Sequence, residues 1–258
     1  MKSIWLSALQ KDEAGVQKTM AQMKTYGLNV LGHFWQDDNA KMAWDAALDE
    51  MLAAKSTLWT ILGSREDLLK EELRYGLSMM AMCLRSGKGA GFPIVILQTG
   101  APLLTAGELP SPLQGAIVMD ATATATPAKL VAKVHAAVAD LPAAYFFDMV
   151  GNPQVGQWFE IHPTKAAWSG IIFGVDQGDI RFQAVGPTGK LPDKATLEYA
   201  MQGLQVEVGE KAYTAWAVRN PITPEQSYFV KVEGTPGSMI FGPFSEETET
   251  ELYAIHLK

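Results

Sequence analysis

Residues 93–98 read Pro93-Ile94-Val95-Ile96-Leu97-Gln98, a short run that is almost wholly apolar and rich in β-branched side chains. Such a run is typical of a strand covered on both faces. Four similar runs occur in the first half of the chain, at residues 4–9, 29–35, 57–62 and 116–119. Helical patterns alternate with them, which predicts a mainly parallel, doubly wound sheet. The right-handed crossover rule favours the strand order 2-1-3-4-5.

Four amphipathic helices are predicted to cover this sheet. In the third, apolar residues recur at three- and four-residue spacing from Leu69 to Leu84. The last opens with Thr126-Pro127, where proline suits the first helical position, and its apolar stripe continues to Leu141. The three prolines within residues 100–115 predict a long loop that replaces or shortens one helix.

The second half of the chain shows a different pattern, since helical spacing gives way to short strands separated by turn residues. Residues 168–175 and 180–185 predict a β-hairpin, and residues 204–208 and 212–218 predict another. Residues 252–257 are predicted to form a closing strand.

Only residues 194–201 suggest a helical turn in this half. Spacing of this kind is typical of a small antiparallel β-sandwich or barrel. We therefore predict an α/β domain over residues 1–144 and an antiparallel β domain over residues 145–258.

Charge and composition restrict the classes of partner. The net charge is −7, and residues 143–258 hold 8 basic and 14 acidic side chains, so neither a nucleic-acid partner nor a basic face is expected. The acidic run at residues 246–251 is predicted to be a solvated edge. No apolar run approaches the ~18 residues needed to span a membrane. The lone Cys83 favours a cytoplasmic protein.

The predicted carboxyl ends of the strands gather polar side chains, and ligands of open parallel sheets bind at that edge. These residues include Gln10 and Lys11 after the first strand, Asp37 after the second, Ser64 and Arg65 after the third, Thr99 after the fourth, and Asp120 and Thr122 after the fifth. Phosphoacceptor chemistry of the response-regulator kind is disfavoured, because Gly63-Ser64 and Asp120 stand where an Asp and a Lys would be needed.

Metal and cofactor sites are not predicted. The four histidines are scattered without ligand spacing, and His33 is predicted to be a core residue. Glycine patterns typical of a P-loop or a dinucleotide-binding turn are missing from the sequence.

One resemblance rests on the order of elements: a strand, Asp12-Glu13, a helix, residues 26–30, then Phe34-Trp35-Gln36-Asp37-Asp38, and a helix with Glu72-Leu73 after Gly63-Ser64. Over about residues 3–140 this resembles a Toll/interleukin-receptor (TIR) domain, a flavodoxin-like fold, although Leu68 stands where a tryptophan is usual. Enzymatic members cleave NAD at the nicotinamide–ribose bond with a glutamate on the helix after the third strand.

The resemblance implies that Glu72 occupies the catalytic position, with Lys11, Ser64 and Arg65 holding phosphates and NAD serving as substrate only. Asp37 is a further candidate ligand-binding residue. Two functions therefore stay open: a protein-interaction or signalling adaptor, which the lack of a strict catalytic motif favours, and a nucleotide-acting enzyme.

A partner surface is predicted on the third helix. Met79 and Met82 lie off its main apolar stripe, and two such side chains would not be left in water. We expect the β half, or a second copy of the chain or another protein, to cover them.

Overall fold

A computed structural model describes residues 1–138, 141, 143–152, 154–244 and 251–258, so most of the acidic run at 246–251 lies outside the described residues. The helices are α1 Glu13–Thr25, α2 Asp45–Ala53, α3 Arg65–Leu68, α4 Glu71–Lys88 and α5 Thr126–His135. The strands are β1 Ser3–Ala8, β2 Asn29–Phe34, β3 Ser56–Ser64, β4 Ile94–Thr99, β5 Ile117–Asp120, β6 Tyr145–Asn152, β7 Gly156–Pro163, β8 Ile171–Val175, β9 Asp179–Pro187, β10 Met201–Val208, β11 Lys211–Val218, β12 Gln226–Glu233, β13 Ser238–Pro243 and β14 Tyr253–His256.

The chain forms two compact units. The first contains Met1–Asp38 and Ala43–Leu141, and the second contains Asn39–Met42 and Pro142–Lys258. A short segment from early in the sequence therefore belongs to the second unit, where Met42 is buried with its methyl group beside Gly151. The predicted domain limits of 1–144 and 145–258 stay a prediction.

The first unit is built on a five-stranded sheet in the order β2-β1-β3-β4-β5, and every pairing in it is parallel. Both the parallel sheet and its predicted order are confirmed. One face packs against α1 and α5 through a core of apolar side chains. That core contains Ile4, Leu6, Met23, Leu28, Val30, Leu58, Val95, Leu97, Leu130 and Val134.

The opposite face carries aromatic side chains with polar atoms. Trp59 Nε1 donates to Ser7 Oγ at 2.9 Å, and Trp5 Nε1 donates to His33 Nδ1 at 2.9 Å. The His33 ring lies between Trp5 and Trp35, and its Nε2 is buried with no hydrogen-bond partner. Burial lowers the pKa of His33 to about 4, so the imidazole is neutral at pH 7.

The long loop at residues 100–116 replaces a full helix, as predicted, with two 3₁₀ turns. The side chain of buried Gln98 fixes the first residues of this loop. Its Nε2 donates to the carbonyls of Gly100 and Pro102 at 2.8 Å, and its Oε1 accepts from Leu104 N at 2.9 Å. Arg74 and Arg85 on α4 donate to loop carbonyls at 2.5 and 2.6 Å. The loop is thus fixed to the sheet and to α4.

Two helix predictions need correction. The third helix does not run unbroken from Leu69, because α3 ends at Leu68, Leu69 is exposed and α4 begins at Glu71. The last helix ends at His135, leaving Val138 and Leu141 exposed.

Met79 and Met82 are buried, with 0% and 6% of their surface exposed. Helix α4 packs against α2 and the 3₁₀ turn at Ser111–Leu113, both within the first unit. The chain itself therefore buries both side chains, and the predicted partner surface stays a prediction.

The second unit is a β-sandwich, the first of the two predicted alternatives. Its sheets have the orders β10-β11-β8-β13-β14 and β6-β7-β12-β9, with antiparallel pairing throughout the described strands. Aromatic rings join the two inner faces. Phe159 lies 5.9 Å from Phe173, and Phe147 lies 6.4 Å from Phe241, between ring centroids.

The hairpin predicted from residues 168–175 and 180–185 is wrong. β8 pairs with β11 and β13, whereas β9 pairs with β12 in the other sheet, so residues 176–178 cross between sheets. The hairpin β10–β11 and the closing strand β14 are confirmed. Residues 194–200 are not helical, and Met201 begins β10.

Candidate functional site

A groove of about 280 Å³ opens at the carboxyl edge of the parallel sheet. It lies over the ends of β1 and β3, where the strand order reverses, which is the usual ligand position in open α/β sheets. Its walls come from α1, from the strand ends and from the loop after β5. The lining residues are Ala8, Gln10, Asp12, Gly15, Val16, Lys18, Thr19, Gln22, Leu62, Gly63, Thr99, Ala121 and Thr122.

The groove has a floor of small side chains and a polar wall. Ala8, Gly63 and Ala121 leave the space open because none projects far from the backbone. A Cβ on Gly63 would lie 2.6 Å from Leu9 Cδ1, so glycine also permits close packing there. The exposed side chains of Lys18 and Gln22 rise from α1.

The first turn of α1 is organised by its own side chains. Asp12 Oδ1 accepts from Gly15 N at 3.0 Å as the N-cap, and Thr19 Oγ1 donates to Gly15 O at 2.9 Å. The wall therefore offers one carboxylate, one ammonium group and several amide and hydroxyl groups. That set suits a small polar ligand without large net charge.

A second polar network adjoins the groove at the end of β3. Ser64 is the N-cap of α3 and forms a reciprocal capping box with Asp67, in which Asp67 N donates to Ser64 Oγ at 3.1 Å and Ser64 N donates to Asp67 Oδ2 at 3.3 Å. The Ser64 hydroxyl also donates to Asp67 Oδ2, at 2.7 Å. Gln10, from the groove wall, donates to the same oxygen at 2.6 Å. Lys70 Nζ donates to Asp67 Oδ1 at 2.8 Å.

The ionisation of Asp67 follows from this network. Burial works against the charged form, but hydrogen bonds from Lys70 and Ser64 outweigh it and hold the pKa of Asp67 below its ordinary value. Asp67 is 4% exposed and accepts four hydrogen bonds. It is therefore a buried carboxylate that organises the edge of the sheet, although it was not among the residues predicted from the sequence.

Asp37 and Glu72 act on each other electrostatically. Partial desolvation, followed by the negative charge of Glu72, raises the pKa of the Asp37 carboxyl, while Lys70 opposes the shift. Two of the predicted site residues thus share one region of the sheet edge. Glu72 is exposed at the start of α4 and does not line the groove.

The other predicted site residues are placed differently. Arg65 is directed toward the long loop, where it pairs with Glu108 and donates to Pro102 O at 3.3 Å. Ser64 is engaged in the capping box, and Lys11 is exposed after β1. The structure does not bring Lys11, Ser64 and Arg65 together around the groove.

Solved structures similar to this chain include two with low TM-scores. A response regulator receiver protein from Pseudomonas putida is 13% identical over 51% of this chain and 96% of its own, with a TM-score of 0.33. A two-domain esterase active on acetylated mannans is 7% identical over 99% of this chain and 89% of its own, with a TM-score of 0.30. No protein-family model and no curated protein matches the chain.

The first unit is a flavodoxin-like domain. Its strand order and all-parallel pairing establish that, and neither the fold nor the comparisons single out the TIR family. Among the described residues, His, Cys, Asp and Glu side chains do not gather in threes to hold a metal. Within the described part of the chain, every helix is too short or too polar to cross a membrane.

Only some of the residues that line the groove were predicted from the sequence. Gln10, Thr99 and Thr122 were recognised as strand-end residues at the ligand edge, and they do line it. The contributions of Lys18 and Gln22 were missed, because no local signal indicates which face of α1 overhangs the strand ends. Helical spacing places Lys18 and Gln22 on the polar face of α1, which by itself indicates solvent exposure and not a binding site.

Proposed function

We propose that the chain is a two-domain signalling or interaction module whose flavodoxin-like domain binds a small polar molecule in the groove at the carboxyl edge of its sheet. The observation that carries the proposal is the groove itself, which lies at the reversal of strand order and is lined by amides and hydroxyls. Its volume suits a molecule the size of an amino acid or a nucleoside more than a macromolecule.

The charge of the wall narrows the ligand class. Asp12 and Lys18 are the ionisable side chains among the lining residues, and they are of opposite sign. A zwitterion or a neutral polar compound matches this balance better than a polyphosphate, which needs several cationic groups. A bound ligand would contact both α1 and the loop after β5, and would therefore stabilise the carboxyl edge of the parallel sheet.

The test is a thermal-shift screen of the whole chain with amino acids, nucleosides, nucleotides and polyols, followed by calorimetry on any hit. Gln22→Trp, which fills the groove from α1, is expected to weaken binding at least about tenfold. Ala21→Trp places the same ring on an exposed neighbouring residue that does not line the groove, and is expected to bind normally. Equal binding by both variants would overturn the groove as the site.

A second candidate function is cleavage of NAD, and the observation that favours it is the nearness of Glu72 to Asp37, since the negative charge of Glu72 helps to raise the pKa of the Asp37 carboxyl. The Glu72 carboxylate would then stabilise the positive charge that develops on the ribose as the bond to nicotinamide breaks. The test is nicotinamide release from NAD by wild type, Glu72→Gln and the adjacent exposed control Glu71→Gln. Loss of release only in Glu72→Gln supports the enzyme, whereas no release by wild type removes it.

A further inference from the structure

The outer face of the sheet β6-β7-β12-β9 carries a row of side chains that the groove does not involve. Val150, Trp158, Lys231 and Phe182 are direct cross-strand neighbours in that order. Phe182 is 60% exposed, and its ring centroid lies 6.3 Å from that of Trp158, at an interplanar angle of 47°. We call these four residues the aromatic row.

The two rings meet above a lysine. Lys231 lies between Trp158 and Phe182 in the register, and its Cε would be 2.9 Å from a Cβ placed on Gly156. The side chain of Lys231 therefore passes close over Gly156, which precedes Trp158 by two residues on β7. Trp158 Nε1 donates to Val155 O at 3.3 Å, which fixes the indole to the β6–β7 turn.

The aromatic row is covered along one of its two sides. One step along the strands, Glu160, Phe229 and Ala184 point the same way as the row, yet all three are buried. Glu160 Oε1 accepts from Gly189 N at 2.7 Å and from Ser227 Oγ at 2.6 Å. The segment after β9 thus covers one side of the row, and the row forms an exposed strip along the border of that segment.

Charged side chains border the open end of the strip. Arg181 Nε donates to Glu233 Oε2 at 2.7 Å, and its Nη2 lies 3.1 Å from Asp179 Oδ2. All three side chains are exposed and so present hydrogen-bond donors and acceptors next to Phe182. The strip therefore combines flat apolar rings with polar groups of both signs.

We infer that the aromatic row binds a neutral saccharide chain lying across the four strands. The apolar face of a pyranose ring stacks on an aromatic ring, and its hydroxyls need donors and acceptors beside it, which Arg181, Glu233 and Lys231 supply. Four strands give a length of about 14 Å, enough for a short run of sugar rings.

Other occupants fit the strip less well. A nucleic acid would also stack, but residues 143–258 hold 14 acidic and 8 basic side chains, which repels a phosphate backbone. A stable protein interface needs roughly 800 Å² from each partner, and a strip that lies between a covering segment and a group of paired charges offers little apolar area. A neutral polymer avoids both objections.

The experiment is isothermal titration of the whole chain with cellohexaose, xylohexaose, mannohexaose and maltohexaose. At least one is expected to bind, and Phe182→Ser is expected to weaken it about tenfold or more. Phe182 is mostly exposed, so this variant keeps its fold, which circular dichroism checks. Tyr199→Ser removes another exposed aromatic ring outside the row and is the matched control.

Three results would overturn the inference. The first is that none of the four hexasaccharides binds at concentrations up to about 10 mM. The second is that Phe182→Ser binds as tightly as wild type. The third is that sedimentation shows a self-associating wild type and a monomeric Phe182→Ser, which would make the row an interface between copies of the chain.

Discussion

Gln10 Nε2 donates a hydrogen bond of 2.6 Å to Asp67 Oδ2, so a residue of the groove wall is tied to the capping box that begins α3. Gln10 follows β1 and Asp67 lies in α3, which follows β3, so the two residues flank the point where the strand order reverses. The shape of the groove therefore depends on a buried carboxylate that does not itself line it.

Replacing Asp67 with alanine is expected to destabilise the chain by about 2 kcal/mol, because the N-cap loses its partner and Gln10 loses its acceptor. Urea unfolding at pH 7 measures the change. Glu66→Ala, at the exposed neighbouring position, is the control and is expected to stay within about 0.5 kcal/mol of wild type. Equal losses in both variants would contradict a specific role for Asp67.

Glu108 makes an acid-dependent contribution to stability. Hydrogen bonds from Thr105 N, Arg65 and the Thr105 hydroxyl lower the pKa of Glu108 from 4.5 to about 2. Because the folded-state pKa is depressed, this contribution is complete above pH 4.5 and is lost as the pH falls toward 2. The melting temperature of Glu108→Gln is therefore expected below that of wild type at pH 6, with the difference shrinking toward pH 2.

The control for Glu108 is Glu50→Gln, at an exposed position on α2. It is expected to follow wild type across the same pH series. A gap between wild type and Glu108→Gln that stays constant from pH 6 to pH 2 would contradict the proposed ionisation.

His33 makes a second contribution to stability that is also lost on acidification, at a higher pH than that of Glu108. Burial lowers its pKa from 6.5 to about 4, so between those values the unfolded chain binds more protons than the folded chain. Stability is therefore expected to fall as the pH drops from 6.5 to 4. His33→Phe is expected to flatten that part of the profile in chemical unfolding, whereas His135→Gln, at an exposed position, is expected to keep it.

The burial of α4 predicts a sharp difference between two substitutions at one position. Met79→Glu introduces a carboxylate into a fully buried site and is expected to cost on the order of 3 kcal/mol or more. Met79→Leu nearly conserves volume and is expected to cost less than about 1.5 kcal/mol. If unfolding curves of the two variants coincide, the position is open to solvent.

The parallel sheet was predictable because its strands are continuous apolar runs separated by helical patterns, as Ile94–Thr99 illustrates. Both properties are local, and the crossover rule then leaves few possible orders. The pairing of β8 was not predictable. The turn at Asp176–Gly178 has the composition of a hairpin, but the true partners of β8 lie on β11 and β13, far along the chain.

The sequence predicted where the site lies, at the carboxyl edge of the parallel sheet, but not which side chains form it. Strand ends mark where polar residues gather, and Gln10 lies there, but the sequence does not reveal which side chains already have partners. Arg65 illustrates this, because its pairing with Glu108 depends on the path of a long irregular loop. The solvent exposure of Phe182 depends in the same way on where the segment after β9 crosses the sheet.

Residues Asn39–Met42 belong to the second unit, although the sequence on both sides of them belongs to the first. No single cut in the chain can therefore separate the two units into two complete fragments. A C-terminal fragment would be missing Met42 beside Gly151, and an N-terminal fragment would display that buried methionine to water. During synthesis on the ribosome, residues Asn39–Met42 are made long before the strands of the β-sandwich to which they belong. The sandwich can be completed only after its last strands have been synthesised.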